Sequence, residues 1–215
     1  LARRGIQTKE AAERFLNPSY DLHLHDPFRM TDMKKAAERL ARGIVANEFI
    51  AVWTDYDCDG VPAGVLLHDF LKKVGARFKN YIPHRHLEGY GVNASGLEKL
   101  ASEGVTLIVT ADSGITDVDA VARGKELGLD IIVTEQHRPG TTRPDTYAVV
   151  NPNARADESY PFRGLCGAGV VDNRAMNGGV LLFASFTAFL RMTLLINPRT
   201  AARDRANRPD LYSRR

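Results

Sequence analysis

The chain has 215 residues, enough for one sizeable domain with a small appendage, and its 44% hydrophobic and 26% charged content is that of a soluble, globular protein rather than a disordered or fibrous one. Its net charge of +3 is uneven: residues 197–215 hold six arginines and two aspartates, so the remainder is slightly acidic and a broadly basic nucleic-acid-binding core is excluded. Two cysteines far apart, Cys58 and Cys166, exclude a disulfide framework and a CxxC metal pair and point to a reducing cytoplasm.

Leu1 is followed by no apolar signal-peptide run, and a first residue other than Met leads us to expect a fragment. Residues 1–47 read as a helical N-terminal segment. Thr8 is placed to cap TKEAAERFL, which Asn17-Pro18 ends. Thr31 or Asp32 is placed to cap MKKAAERLARGIVA, where Met33, Ala36, Ala37, Leu40 and Ile44 recur at helical spacing.

The pattern then changes. Phe49 to Thr54 predicts a strand, Val61 to Val74 a helix and Arg77 to Ile82 a strand. Ser95 is placed to cap GLEKLASE, and Val105 to Thr110 predicts a further strand. Asp117 is placed to cap VDAVARGKELG, which Gly128 stops, and Asp130 to Thr134 and Tyr147 to Val150 complete the strands. Alternating strands and helices predict an α/β fold with a doubly wound, mostly parallel sheet and helices on both faces over 48–170. Residues 171–196 contain the uncharged run VLLFASFTAFL, too short to span a bilayer and expected as a buried helix; 197–215 is expected as a basic, disordered tail.

Three predicted strands run into a carboxylate: Thr54 into Asp55, Thr110-Ala111 into Asp112, and Thr134 into Glu135. Ligands of open α/β sheets bind beyond the carboxyl ends of the strands. If these strands are neighbours, Asp55, Asp57, Asp59, Asp112, Glu135 and His137 converge on one cleft. Clustered carboxylates repel one another, and a divalent cation resolves the conflict. Mg²⁺ and Mn²⁺ take oxygen ligands, Mn²⁺ also takes imidazole, and a pair of such ions roughly 3.5–4 Å apart can clamp a phosphodiester.

Other readings of the same residues stay in view. Asp55-x-Asp57-x-Asp59-Gly60 also opens a calcium-binding EF-hand loop, but the bidentate glutamate that loop needs at its twelfth position is Leu66 here, and a strand precedes it instead of a helix. Asp57-x-Asp59-Gly60-Val61 is similar to the nucleophile motif of haloacid-dehalogenase phosphatases, whose first aspartate directly follows its strand. Taken singly, Asp112 before Ser113-Gly114 also reads as a turn residue and His137 as a surface histidine. No GxGxxG follows the first strand, so a dinucleotide site has no support.

Several motifs in order resemble the RecJ family of DHH phosphoesterases. They are Asp55-Tyr56-Asp57-Cys58-Asp59-Gly60, Ile82-Pro83-His84-Arg85, Glu88-Gly89-Tyr90-Gly91-Val92-Asn93 and Ala111-Asp112-Ser113-Gly114-Ile115. Asn151-Pro152-Asn153, Tyr160-Pro161-Phe162 and Leu165-Cys166-Gly167-Ala168-Gly169-Val170 follow, and Arg4 to Thr8, Phe15 to Pro18 and His25 to Phe28 precede, so the resemblance covers about residues 3–170. It implies a metal-dependent nuclease removing nucleotides from the 5′ end of single-stranded DNA. Asp57, Asp59 and Asp112 would hold Mn²⁺ or Mg²⁺, two ions in an intact member, with Asp55 close by and His137 facing the scissile phosphate. Arg85 would contact the DNA or its end. The amides of Gly167, Ala168 and Gly169 would approach a phosphate, or simply form a tight turn before a helix.

The chain departs from that family at two places. Glu135-Gln136-His137 stands where the family has Asp-His-His, so Gln136 replaces a histidine metal ligand with a neutral amide. Beyond Val170 the family's later metal-binding aspartate finds no match, nor do its second domain and its OB-fold. Three outcomes remain open: an active exonuclease, a catalytically impaired binding or scaffold protein, and a phosphoesterase acting on short oligonucleotides or cyclic dinucleotides.

Overall fold

The computed structural model describes residues 1–19 and 25–171. The expectations for the apolar run, the basic tail and the search for a later metal-binding aspartate lie outside the described residues.

Among the described residues, two α-helices precede the sheet, α1 (Lys9–Leu16) and α2 (Met33–Val45). Five strands then alternate with helices, in the order β1 (Ile50–Thr54), α3 (Gly60–Lys73), β2 (Phe78–Tyr81), α4 (Ala94–Ser102), β3 (Leu107–Ala111), α5 (Val118–Glu126), β4 (Asp130–Thr134) and β5 (Ala148–Val150). A short helix, α6 (Gly167–Val171), ends the described chain. The strand order is β2-β1-β3-β4-β5 and every pairing is parallel, as the alternating pattern predicts. The chain moves outward from β1 to β2, then crosses over β1 to β3, so the order reverses between β1 and β3. A crevice opens at such a reversal, outside the strand ends.

The inner strands β1, β3 and β4 are mostly apolar because both faces are covered, whereas the edge strand β2, Phe-Lys-Asn-Tyr, is partly exposed. Ile50 and Val52 of β1, Leu107 and Val109 of β3 and Ile132 of β4 face one core with Met33, Ala36 and Leu40 of α2, Leu67 and Phe70 of α3 and Val170 of α6. Ala51 and Trp53, Ile108, and Ile131 and Val133 face the other, with Leu97 and Leu100 of α4 and Val121 of α5. The second layer is close enough that a Cβ on Gly96 would lie 2.5 Å from Trp53 Cη2. Among the described residues, no helix is long and apolar enough to cross a membrane.

The helix starts differ from the local pattern in instructive ways. Thr8 does cap α1, its Oγ1 accepting from Ala11 N at 3.1 Å. The cap of α4 is Asn93 rather than Ser95: the Asn93 Oδ1 accepts from Gly96 N at 2.8 Å. Asp32 and Asp117 occupy cap positions but make no cap bond. Their carboxylates are drawn to distant amides instead, Asp32 to Val149 N at 3.2 Å and Asp117 to Val92 N at 2.7 Å.

Candidate metal centre

Strand register builds the site. Thr54 pairs with Ala111, Ala111 with Thr134, and Thr134 with Val150, so the next residues, Asp55, Asp112, Glu135 and Asn151, emerge side by side at the crevice. The ladder runs on into this row: Asp55 N donates to Ala111 O at 3.3 Å, Asp112 N to Thr134 O at 3.1 Å and Glu135 N to Val150 O at 3.1 Å. All four residues are buried, Asp112 and Glu135 to within 1% of full enclosure. Asp112 also takes a positive φ of 62°, which a non-glycine residue adopts only when its surroundings impose it.

Beyond Asp55 the chain turns tightly into α3. Asp57 Oδ1 accepts from both Asp59 N and Gly60 N at 2.8 Å. Gly60 has to be glycine, because a Cβ there would lie 2.6 Å from the Asp55 carbonyl oxygen. The turn brings Asp57 back over the row. Asp55, Asp57 and Asp112 each offer an oxygen within 4.8 Å of the others, and Asp112, Glu135 and His137 do the same. Asp112 is common to both groups.

The electrostatics follow from this crowding. Burial, reinforced by the charges of Asp59, Glu135 and Asp57, pushes the Asp112 carboxyl up to about 7, against the Gln136 amide that pulls it down. Burial also raises Asp55 and Glu135. Asp57 moves the other way, held down by the amides of Gly60 and Asp59. His137 loses some basicity to burial, but the adjacent Glu135 carboxylate outweighs this and raises it.

Neither Asp112 Oδ2 nor Glu135 Oε2 meets a hydrogen-bond donor among the described residues, although both are enclosed. Buried carboxylate oxygens without donors are costly unless a cation is present. Hard oxygen donors with one imidazole, in two ligand-spaced groups, fit Mn²⁺ or Mg²⁺.

The DHH family, N-terminal domain, matches residues 49–186. The chain belongs to the DHH family. Among its relatives, the single-stranded-DNA-specific exonuclease RecJ of Bacillus subtilis is 43% identical over 171 residues, covering 79% of this chain and 21% of that protein. A crystal structure of exonuclease RecJ bound to manganese aligns with a TM-score of 0.57 and 32% identity over 70% of this chain and 36% of the other. RecJ from Thermus thermophilus in complex with Mn²⁺ aligns with a TM-score of 0.59 and 26% identity, over 75% of this chain and 23% of the other. The DHH chain therefore spans roughly a fifth to a third of the length of these relatives.

Within this DHH chain, the structure places the predicted residues unevenly. Asp55, Asp57, Asp112, Glu135 and His137 come together. Asp59 does not point the same way: its Oδ2 accepts from Gly167 N at 2.5 Å and its Oδ1 from Ala168 N at 2.9 Å. The Gly167 and Ala168 amides, considered for a phosphate, are thus donated to Asp59, and Gly169 N reaches the Cys166 sulfur at 3.4 Å. Gln136 lies within the cluster, but its Nε2 donates to Asp112 Oδ1 at 2.6 Å and its Oε1 is buried without a donor. Arg85 stands at the rim, its guanidinium 4.1 Å from the centre of the Tyr56 ring.

Two supporting residues, Asn151 and Asn153, stand in a motif quoted for the family resemblance, but the sequence assigns their side chains no role. Asn151 Nδ2 donates to His137 O at 2.8 Å, and Asn153 Nδ2 donates to Gln136 O at 2.7 Å. The pair holds the Glu135–His137 loop against β5. Glu135 Oε1 accepts from His137 N at 3.1 Å and also pairs with His137 Nδ1, which orients the imidazole and sets its Nε2 3.5 Å from Gln136 Nε2. The only sequence signal for this brace is Asn-Pro-Asn directly after an apolar strand.

Proposed function

We propose that this chain is the metal-binding half of a 5′-to-3′ exonuclease that hydrolyses phosphodiesters of single-stranded DNA, in recombination and repair, with Mn²⁺ or Mg²⁺. The carrying observation is the buried carboxylate row, with two ligand-spaced groups sharing Asp112 and unsatisfied oxygens on Asp112 and Glu135. Similarity to RecJ sequences supports the substrate. Residues 48–170 make up the metal-binding core. The two free cysteines, Cys58 and Cys166, suit a cytoplasmic protein.

Asp55, Asp57 and Asp112 would hold one ion, and Asp112, Glu135 and His137 surround a second position. A bound divalent ion supplies positive charge to the phosphate and lowers the pKa of water. The chain's own residues do the rest. His137, oriented by Glu135, would present its imidazole to a phosphate oxygen. Arg85 adds a positive charge at the rim. Asp59, with one amide donor on each oxygen, keeps a lone pair on each that could join the ligands.

One observation favours a second reading, a catalytically impaired nucleic-acid-binding or scaffold protein. Gln136 offers Asp112 a proton donor where a metal requires a lone pair. Digestion of 5′-labelled single-stranded DNA with Mn²⁺ decides between them, with Asp112→Asn as control. Nucleotide release by wild type but not by the variant is expected. Binding of the strand without release, in both proteins, would leave the scaffold reading. A parallel panel of di- to pentanucleotides and cyclic dinucleotides tests a small-substrate phosphoesterase, which preferential hydrolysis of the short substrates would establish instead.

A further inference from the structure

One feature beside the carboxylates has no part in holding metal. Tyr56, Arg85 and Tyr90 form a braced stack at the rim. The Arg85 guanidinium covers one face of the Tyr56 ring at 4.1 Å, and the Tyr90 ring meets Tyr56 edge to face, with centroids 6.5 Å apart at 80°. Tyr90 nevertheless remains 53% exposed.

The loop that carries Arg85 and Tyr90 is clamped at both ends. Glu88 accepts from Tyr81 Oη and, at 2.7 Å, from His84 N. Asp117 accepts from Val92 N at 2.7 Å. Gly89 and Gly91, with φ of 79° and 80°, flank Tyr90 and turn the backbone so that its ring projects from the loop. An exposed aromatic ring held this firmly is pre-organised for a ligand. Its position identifies the ligand's neighbourhood: the Tyr90 ring packs against Tyr56, whose N donates to Asp55 Oδ1 of the carboxylate row at 2.7 Å.

We propose that Tyr90, backed by the Tyr56–Arg85 stack, is a platform for the terminal nucleobase of the substrate strand, setting the adjoining phosphate beside the carboxylate row. This rests on the nuclease reading and adds to it a positioning residue that acts through the base. A flat ring accepts any base, so the platform favours a nucleotide with a base over an abasic one without selecting among sequences. The positive charge of Arg85, stacked behind Tyr56, faces the same strand end.

The test uses a single-stranded oligonucleotide with 2-aminopurine at its 5′ terminus, titrated with the full chain in chelator, where no turnover occurs. Wild type and Tyr90→Phe are expected to quench the fluorophore by stacking. Tyr90→Leu, which keeps an apolar side chain against Tyr56, should lose the quench and bind about 5- to 100-fold more weakly. On a strand whose 5′ nucleotide is abasic, wild type and Tyr90→Leu should bind equally well. Undiminished quenching by Tyr90→Leu, or an equal loss of affinity on the abasic strand, overturns the platform while leaving the nuclease reading intact. Failure of wild type to bind either strand overturns the platform, and the nuclease reading is then decided by the Mn²⁺ digestion alone. Unchanged thermal melting of Tyr90→Leu separates loss of stacking from loss of fold.

Discussion

Gln136→His restores an imidazole at the position where this chain carries an amide, and it should strengthen Mn²⁺ binding. The magnitude follows from one contact. Gln136 Nε2 donates to Asp112 Oδ1 at 2.6 Å, and an ion that takes that oxygen has to displace the donor. A hydrogen bond to a charged group contributes about 1.5–3 kcal/mol, which is a handicap of roughly one to two decades in affinity. Imidazole removes the handicap and adds a ligand, so a gain of about 10- to 100-fold or more is expected. Gln136→Ala removes the donor without adding a ligand and should fall between the two. Isothermal titration of the full chain with Mn²⁺ near neutral pH measures all three, with Asp112→Asn as the non-binding reference. The reasoning is refuted if Gln136→His binds Mn²⁺ within threefold of wild type while Asp112→Asn does not bind.

Three further outcomes are expected. Asp112, raised to about 7 chiefly by burial, keeps its proton in the metal-free folded state between about pH 4 and 7 while the unfolded chain loses it. Its contribution to stability is therefore full below the unfolded value and is lost as pH rises through the folded one. Asp112→Asn should become more stable than wild type by on the order of 2–4 kcal/mol between pH 5 and 8, and denaturant melts showing no pH-dependent difference would contradict this. Arg39→Met removes the guanidinium that bonds Asp130 at 2.5 Å and Glu48 at 2.8 Å; because both acids are partly exposed, we expect a loss of about 1–3 kcal/mol, less than for a fully buried pair. Arg39 also holds the Glu48 carboxyl below its ordinary value, a contribution present above the usual carboxylate range and lost on acidification, so the gap between variant and wild type should narrow below about pH 4. Gly96→Ala places a methyl 2.5 Å from Trp53 Cη2 and should lower the urea midpoint by an amount equivalent to about 1–3 kcal/mol; an unchanged midpoint would show that the Trp53 layer yields freely.

The inner strands were legible because they are covered on both faces and so read as nearly unbroken apolar runs, and no strand end is displaced by more than two residues. β3 is expected over Val105 to Thr110 and is found over Leu107–Ala111. Caps were less legible. Asn93 outcompetes Ser95 because its side chain, two residues earlier, already reaches Gly96 N. Asp32 and Asp117 abandon their helix starts for the amides of Val149 and Val92, 117 and 25 residues away, and no local pattern contains those partners. The same limit applies at the site. That Asp55, Asp112 and Glu135 end strands is written in the sequence, whereas the direction of Asp59 depends on Gly167, 108 residues later.

Register explains why the cluster is so tightly specified. A slip of one residue in any strand would turn its carboxylate away from the crevice and its apolar set onto the wrong core. The two packed layers thus hold Asp55, Asp112 and Glu135 in a row that their mutual repulsion opposes, and Asp112 is held in a left-handed conformation as well. Each of these features costs stability, and nothing among the described residues offsets them all. Asn151 braces the neighbouring loop rather than donating to the carboxylates, and Gln136 reaches only one oxygen of Asp112. A divalent cation offsets the electrostatic cost, because it supplies opposite charge to the shared row and a partner for Asp112 Oδ2 and Glu135 Oε2. Added Mn²⁺ should therefore raise the melting temperature of wild type and leave that of Asp112→Asn unchanged.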